Sequence, residues 1–121
     1  MTTTEAKKKS VLDKATSHYR QQMSGSMSEV EVPEWDTTIY FRSITTLRQE
    51  QEVVELTRKG KTVEALVVSI INKAMDKEGN PMFNKMDKVT LMNEVDPNVI
   101  LRVANAINGP SLPSVQDLEG N

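Results

Sequence analysis

The residues able to do chemistry are few and scattered. His18 is the one histidine, and cysteine is absent. The sequence therefore supplies no nucleophile and base pair, no thiolate and no cysteine-ligated metal. Glu34 and Asp36 flank Trp35 and come nearest to a carboxylate dyad. Residues two apart in a turn need not face one another, so both read as solvated surface carboxylates. Asp76, Glu78 and Asn80 stand at positions 1, 3 and 5 of a calcium-loop spacing. The pattern fails at position 6, where glycine is required and Pro81 stands, and at position 12, where Asp87 replaces the bidentate glutamate. No glycine-rich phosphate loop occurs. The expectation is a protein that is not an enzyme, with no catalytic residue, no cofactor and no metal.

What remains is recognition by contact. The chain has five aromatic residues, and Trp35, Tyr40 and Phe41 fall within seven positions of one another in VPEWDTTIYF. A stacking platform for single-stranded nucleic acid needs basic residues among the rings. Here only Arg42 is close, against Glu29, Glu31, Glu34 and Asp36, so phosphate is repelled. Of seven methionines, Met75, Met82, Met86 and Met92 lie within eighteen positions. Methionine fills irregular core gaps and also makes adaptable binding surfaces. The partner surface is expected on the exposed side of the aromatic stretch and the helix after it, around Trp35, Tyr40 and Leu47. The segment from Met82 to Met92, with Phe83 and Met86, extends it.

The totals fit one domain with loose ends. The chain has 121 residues, 37% hydrophobic and 26% charged, with a mean hydropathy of -0.47. Residues 1–28 carry five basic side chains against two acidic ones, and the remainder carries ten against fifteen. A basic arm is thus attached to an acidic body. The Lys7, Lys8, Lys9 run could neutralise phosphates, but the acidic body gives nucleic acid no surface, and nucleic acid is not an expected partner. The lysines are followed by no apolar stretch of a secretory signal. VEALVVSIINKAM is too short and too charged for a membrane span. A cytosolic protein is expected.

Local patterns give the elements. Val11, Leu12, Ala15, Tyr19 and Met23 recur at helical spacing behind Ser10, and SGSMS then breaks the pattern as a linker. EVEV and TIYFR alternate around PEWDT, which predicts a β-hairpin with Ile39 and Phe41 on its buried face. A charged helix follows from about Thr46 to Lys59, with Thr46 and Gln49 as a capping box, Glu55 and Lys59 as an ion pair, and Gly60 as its stop. Val63, Leu66, Val67, Ile70, Ile71 and Ala74 form the clearest helical stripe and predict the central helix. DKEGNP reads as a turn. A short helix opened by Asn84 and Asp87 comes next, then a closing one with Asp96 at its N-cap, Pro97 at its first position and Gly109 beyond its end. The predicted fold is α+β and mainly helical. An N-terminal β-hairpin packs on a small bundle of about four helices (29–109), between a basic arm (1–28) and a tail (110–121), both flexible.

The order of these features resembles the small tail assembly chaperones of long-tailed bacteriophages. That family typically shows V-P-E-W-G-x-x-V-x-V-R-x-L-T, then an apolar segment ending in D-x-x-G-x-P-L-F, then a final helix followed by N-G. The matching positions are Val32, Pro33, Glu34, Trp35, Arg42, Ile44 and Thr45; Asp76, Gly79, Pro81, Met82 and Phe83; and Asn108 and Gly109. Asp36 stands where the family often has glycine, and Met82 replaces a leucine. The resemblance implies a non-enzymatic chaperone, the short form of a pair related by frameshifting, acting in the cytoplasm of the host bacterium. Its implied partners are the phage tape measure protein, the tail tube protein and further copies of itself. Two other readings stay open: a structural tail or connector component retained in the virion, and a small nucleic-acid-binding regulator using the basic arm.

Overall fold

A computed structural model of the chain describes residues 10–42 and 44–109. The lysine run and the tail from residue 110, both expected to be flexible, lie outside the described residues. The order of elements is α1 (Val11–Ser24), β1 (Ser28–Val32), β2 (Thr37–Phe41), α2 (Leu47–Arg58), α3 (Thr62–Lys73), α4 (Lys88–Asn93) and α5 (Pro97–Asn108). Single 3-10 turns, Pro33–Trp35 and Lys85–Asp87, stand between β1 and β2 and directly before α4. The chain is therefore α+β and mainly helical, as its patterning predicts. Among the described residues no helix is long and apolar enough to cross a membrane.

The central element is α3. Every residue from Ala65 to Ile71 is buried, which a helix achieves only when neighbours enclose most of its circumference. The β-branched run VVSII makes this helix because α2, α4 and α5 close around it, and tertiary burial outweighs a weak local preference for strand. Val63, expected in the buried stripe, is instead 58% exposed and lines a cleft with Leu91, Met92 and Leu101. α2 is an outer helix with no fully buried residue. Its start carries the capping box of Thr46 and Gln49. Its end is a Schellman turn, in which Gly60 N–H donates to Thr57 O, Lys61 N–H donates to Leu56 O, and Gly60 has φ +82°. Glu55 pairs with Arg58 rather than with Lys59.

α5 follows its punctuation closely. Asp96 caps Asn98 N–H, Pro97 occupies the first turn, and Val99, Ile100, Val103, Ala104 and Ile107 are buried against α3. Its last residue closes a buried polar knot that periodicity does not reveal. Ser69 Oγ and Lys73 Nζ both donate to Asn108 Oδ1, at 2.7 and 2.8 Å, and Asn108 Nδ2 donates to Ala104 O at 2.9 Å. Lys73 Nζ also lies 3.6 Å from the Glu50 carboxylate of α2. The ammonium group is thus supplied with acceptors from two neighbouring helices, which a buried charge requires.

β1 and β2 pair antiparallel with Val30 opposite Ile39 and Val32 opposite Thr37. Val32, Ile39 and Phe41 enter the core on one face. At the hairpin's tip Asp36 has φ 51° and ψ 46°, the left-handed conformation glycine adopts freely and aspartate tolerates. Tyr40 N–H donates to Met75 O at 2.9 Å and receives Met75 N–H at 2.7 Å, so the chain after α3 adds a short rung to the free edge of β2. The 76–81 turn is held by Asp76 Oδ1, which accepts from Glu78 N–H and Asn80 N–H. α1 is peripheral: Ser10 caps it as predicted, and none of its residues is fully buried, although Tyr19 and Met23 are half-buried.

Ile70→Ala is expected to reduce unfolding free energy by about 2–5 kcal/mol in urea titrations, whereas Leu47→Ala, at a side chain 85% exposed, changes it by less than about 0.5 kcal/mol. Similar losses at the two positions would contradict this packing.

Candidate functional site

The rung at Met75 turns the chain back so that Met82 N–H reaches Ala74 O at 3.0 Å. That hydrogen bond delivers Met82 and Phe83 to the side of the hairpin tip. The 3-10 turn brings Trp35 to the same place, and α4 with the residues after it closes the third side. The result is a groove of about 530 Å³ lined by Trp35, Thr37, Met82, Phe83, Leu91 and Val95, with Asp87 and Thr90 on its wall. Leu91 is buried, whereas Trp35, Met82, Phe83 and Val95 are half-buried, one side on the core and the other on the groove. Leu91 and Val95 also line a smaller cleft of about 100 Å³ that includes Val63, Met92 and Leu101. The apolar surface therefore runs from the hairpin tip across α4 to the start of α5.

Two polar devices fix the segments on either side of the groove. Arg102 of α5 grips Glu34 with both terminal nitrogens, Nη1 to Oε2 at 2.9 Å and Nη2 to Oε1 at 2.6 Å. This fork fixes the turn that carries Trp35. Glu34 is thus not the free surface carboxylate its setting in the sequence suggests. The hydrogen bonds from Arg102, more than any other influence, bring its pKa from an ordinary 4.5 to about 2. On the opposite side, Asn84 Oδ1 accepts from Met86 N–H and Asp87 Oδ2 from Asn84 N–H, a reciprocal cap that starts the helical run into α4. Lys88 is paired with Glu64 of α3 and lowers that carboxyl's pKa through the hydrogen bond.

Of the residues singled out in the sequence, Trp35, Met82 and Phe83 meet in the groove. Met92 lines the adjoining cleft. Met86 is 87% exposed beside the groove without lining it. Tyr40 and Leu47 do not line it; Tyr40 is occupied at the β2 edge, and Leu47 is exposed at the first turn of α2. Sequence reasoning missed Thr37, Thr90, Leu91 and Val95 as groove residues. Leu91 was visible only as an apolar residue of a short helix, and Val95 lies between helices, where no period marks it. Among the described residues no group of three or more histidine, cysteine, aspartate or glutamate side chains could hold a metal ion.

The fold is similar to a solved structure, that of bacteriophage HK97 tail assembly chaperone, with a TM-score of 0.57 and 16% identity, over 75% of this chain and 94% of that chain. At that identity the likeness is one of fold. No family model matches the sequence, and no curated protein matches it.

The Glu34 and Arg102 fork makes a pH-dependent contribution to stability. The folded pKa of about 2 lies below the unfolded 4.5, so the contribution is present above the unfolded value and is lost as pH falls through the folded one. Glu34→Gln is therefore expected to flatten part of the acid limb: its stability should fall less than that of the wild type as pH is taken from about 5 down to about 2. Identical acid limbs in urea titrations would show that the fork contributes nothing.

Proposed function

We propose that this protein is a non-enzymatic tail assembly chaperone of a long-tailed bacteriophage. In the cytoplasm of the infected host it binds the tape measure protein and assists assembly of tail tube subunits around it. The observation that carries the reading is the apolar groove between the hairpin tip and α4, built on a fold similar to that of a tail assembly chaperone. A long helical protein with apolar faces needs those faces covered until the tube encloses them. A groove walled by Trp35 and floored by Met82, Phe83 and Leu91 suits one face of such a helix. Amphipathic helices dock in this way through anchors spaced three or four residues apart, and methionine on the floor lets one groove accept successive, non-identical segments.

The proposed binding surface is narrower than the one expected from the sequence. It centres on Trp35, Met82 and Phe83, with Met86 and Met92 at its margins. Contact at Tyr40 or Leu47 is not part of it. The match of Val32 to Trp35 with the chaperone pattern takes on a physical meaning here. Val32 anchors the strand in the core, Pro33 starts the 3-10 turn, Glu34 takes the Arg102 fork and Trp35 forms the groove wall.

Binding of purified protein to recombinant segments of the tape measure protein tests the reading. Thr90→Arg, which places a long charged side chain on the groove wall, is expected to weaken binding at least tenfold, or about 1.4 kcal/mol. Leu47→Asp should leave it within about twofold. The reverse order of effects would move the site to α2. A chaperone also leaves the particle, so mass spectrometry of purified virions should find no stoichiometric peptides of this chain. Abundant ones would favour a structural tail component.

A further inference from the structure

We propose that the groove selects a basic partner helix, an amphipathic segment of the client whose lysine or arginine residues border its apolar anchors. This rests on reading the groove as a docking site for a client helix, and it adds the chemistry by which one helix is chosen over another. Apolar surface alone discriminates poorly, because many amphipathic helices can cover Met82, Phe83 and Leu91. The choice lies in the charges around that surface. Asp87 is on the groove wall. Asp36 stands between Trp35 and Thr37, and Glu94 and Asp96 stand on either side of Val95, all three of them exposed beside lining residues. The apolar surface runs from the hairpin tip across α4 to the start of α5, so anions accompany it at both ends and along one wall.

The cations of the same region are directed elsewhere. Arg102 has both terminal nitrogens on Glu34, so that pair cancels. Lys85 and Lys88 belong to the segment that contributes Asp87, yet they line a different cleft, with Glu52, Val68, Ile71 and Asn72. Lys88 is also paired with Glu64. The segment thus sorts its side chains: Asp87, Thr90 and Leu91 go to the apolar groove and the lysines to the other cleft. Among the described residues no lysine or arginine lines the groove. An acidic helix would meet like charge there. A helix with cations at the edges of its apolar stripe meets complementary charge, which speeds encounter and suppresses wrong partners. The chain's own segment 110–121 is unsuited by the same criterion, because it carries Asp117 and Glu119 and no basic residue.

Three synthetic helical peptides of about 18 residues, or about five turns, test the proposal on the full chain. They share one apolar stripe, lack tryptophan, and differ only at the positions bordering the stripe, which are lysine, glutamine or glutamate. Trp35 emission reads their binding. At about 0.01 M salt, where charges act over about 30 Å, the lysine peptide is expected to bind about tenfold or more tighter than the glutamate peptide. At about 1 M, where they act over about 3 Å, the gap should close to about twofold. The triple variant Asp36→Asn, Asp87→Asn, Glu94→Gln should shrink the low-salt gap to about threefold or less. Asparagine tolerates the left-handed turn at position 36 and can still accept Asn84 N–H at position 87, so this variant keeps its fold. Lys85→Gln, in the other cleft, should leave the gap unchanged. Equal binding of the three peptides by the wild type would overturn the proposal while leaving the groove as a docking site chosen by apolar area alone. Tighter binding of the glutamate peptide would overturn it in favour of an acidic occupant such as segment 110–121. A gap unchanged in the triple variant would place the selecting charges outside the groove and overturn it too. Binding of none of the peptides would sink the docking site itself, and this inference with it.

Discussion

The constraint on which the rest of the structure depends is the enclosure of α3. A run of seven buried residues, Ala65 to Ile71, leaves this helix almost no face that water can cover. Three other helices and a hairpin must therefore surround it, and each can present only one apolar stripe. α5 supplies the most complete one, through Val99, Ile100, Val103, Ala104 and Ile107, and the hairpin adds Val32, Ile39 and Phe41. Where the chain returns from α3 it has no spare helix to continue with, so Met75 pairs with the edge of β2 and the 76–81 turn reverses direction. The groove is a consequence of that reversal. Met82 and Phe83 are carried to the margin of the core, half on it and half beside it.

The walls and the floor of this groove are built differently. Its walls are held by interactions on other elements, the Arg102 fork on the Glu34 turn and the Asn84 cap ahead of α4. Its floor sets one adaptable side chain, Met82, beside Phe83 and the buried Leu91. The buried Lys73, Ser69 and Asn108 knot does a different task, on the side of α3 that faces α2 and the end of α5. It ties the last turn of the domain to its central helix.

Much of this was legible in the sequence because local chemistry and tertiary demand agree. Ser10, Thr46, Asn84 and Asp96 cap their helical segments as their side chains suggest, and the period from Leu66 to Ile71 marks the core helix. The alternation in TIYF gave the buried face of β2 correctly. What could not be read was whatever joins residues far apart in sequence. Glu34 and Arg102 are 68 positions apart, and Ser69 and Asn108 are 39 apart. Nothing at either end signals the other. The candidate site divides along the same line: Trp35, Met82 and Phe83 were visible by type, whereas Val95 and Thr90 matter only because the fold brings them alongside. Tyr40 and Leu47 were singled out for exposure and type alone, and topology gives them other surroundings.

Trp35 is the single tryptophan of the chain and stands half-buried on the groove wall, so it reports on the site without a label. The central claim is that this groove receives a helix of the tape measure protein. Titrating such a segment into the protein while recording tryptophan emission, with segments free of tryptophan, tests it directly. Trp35 emission should move to shorter wavelength and saturate with the same midpoint as binding measured by calorimetry. Binding seen by calorimetry with Trp35 emission unchanged would place the client elsewhere and contradict the account.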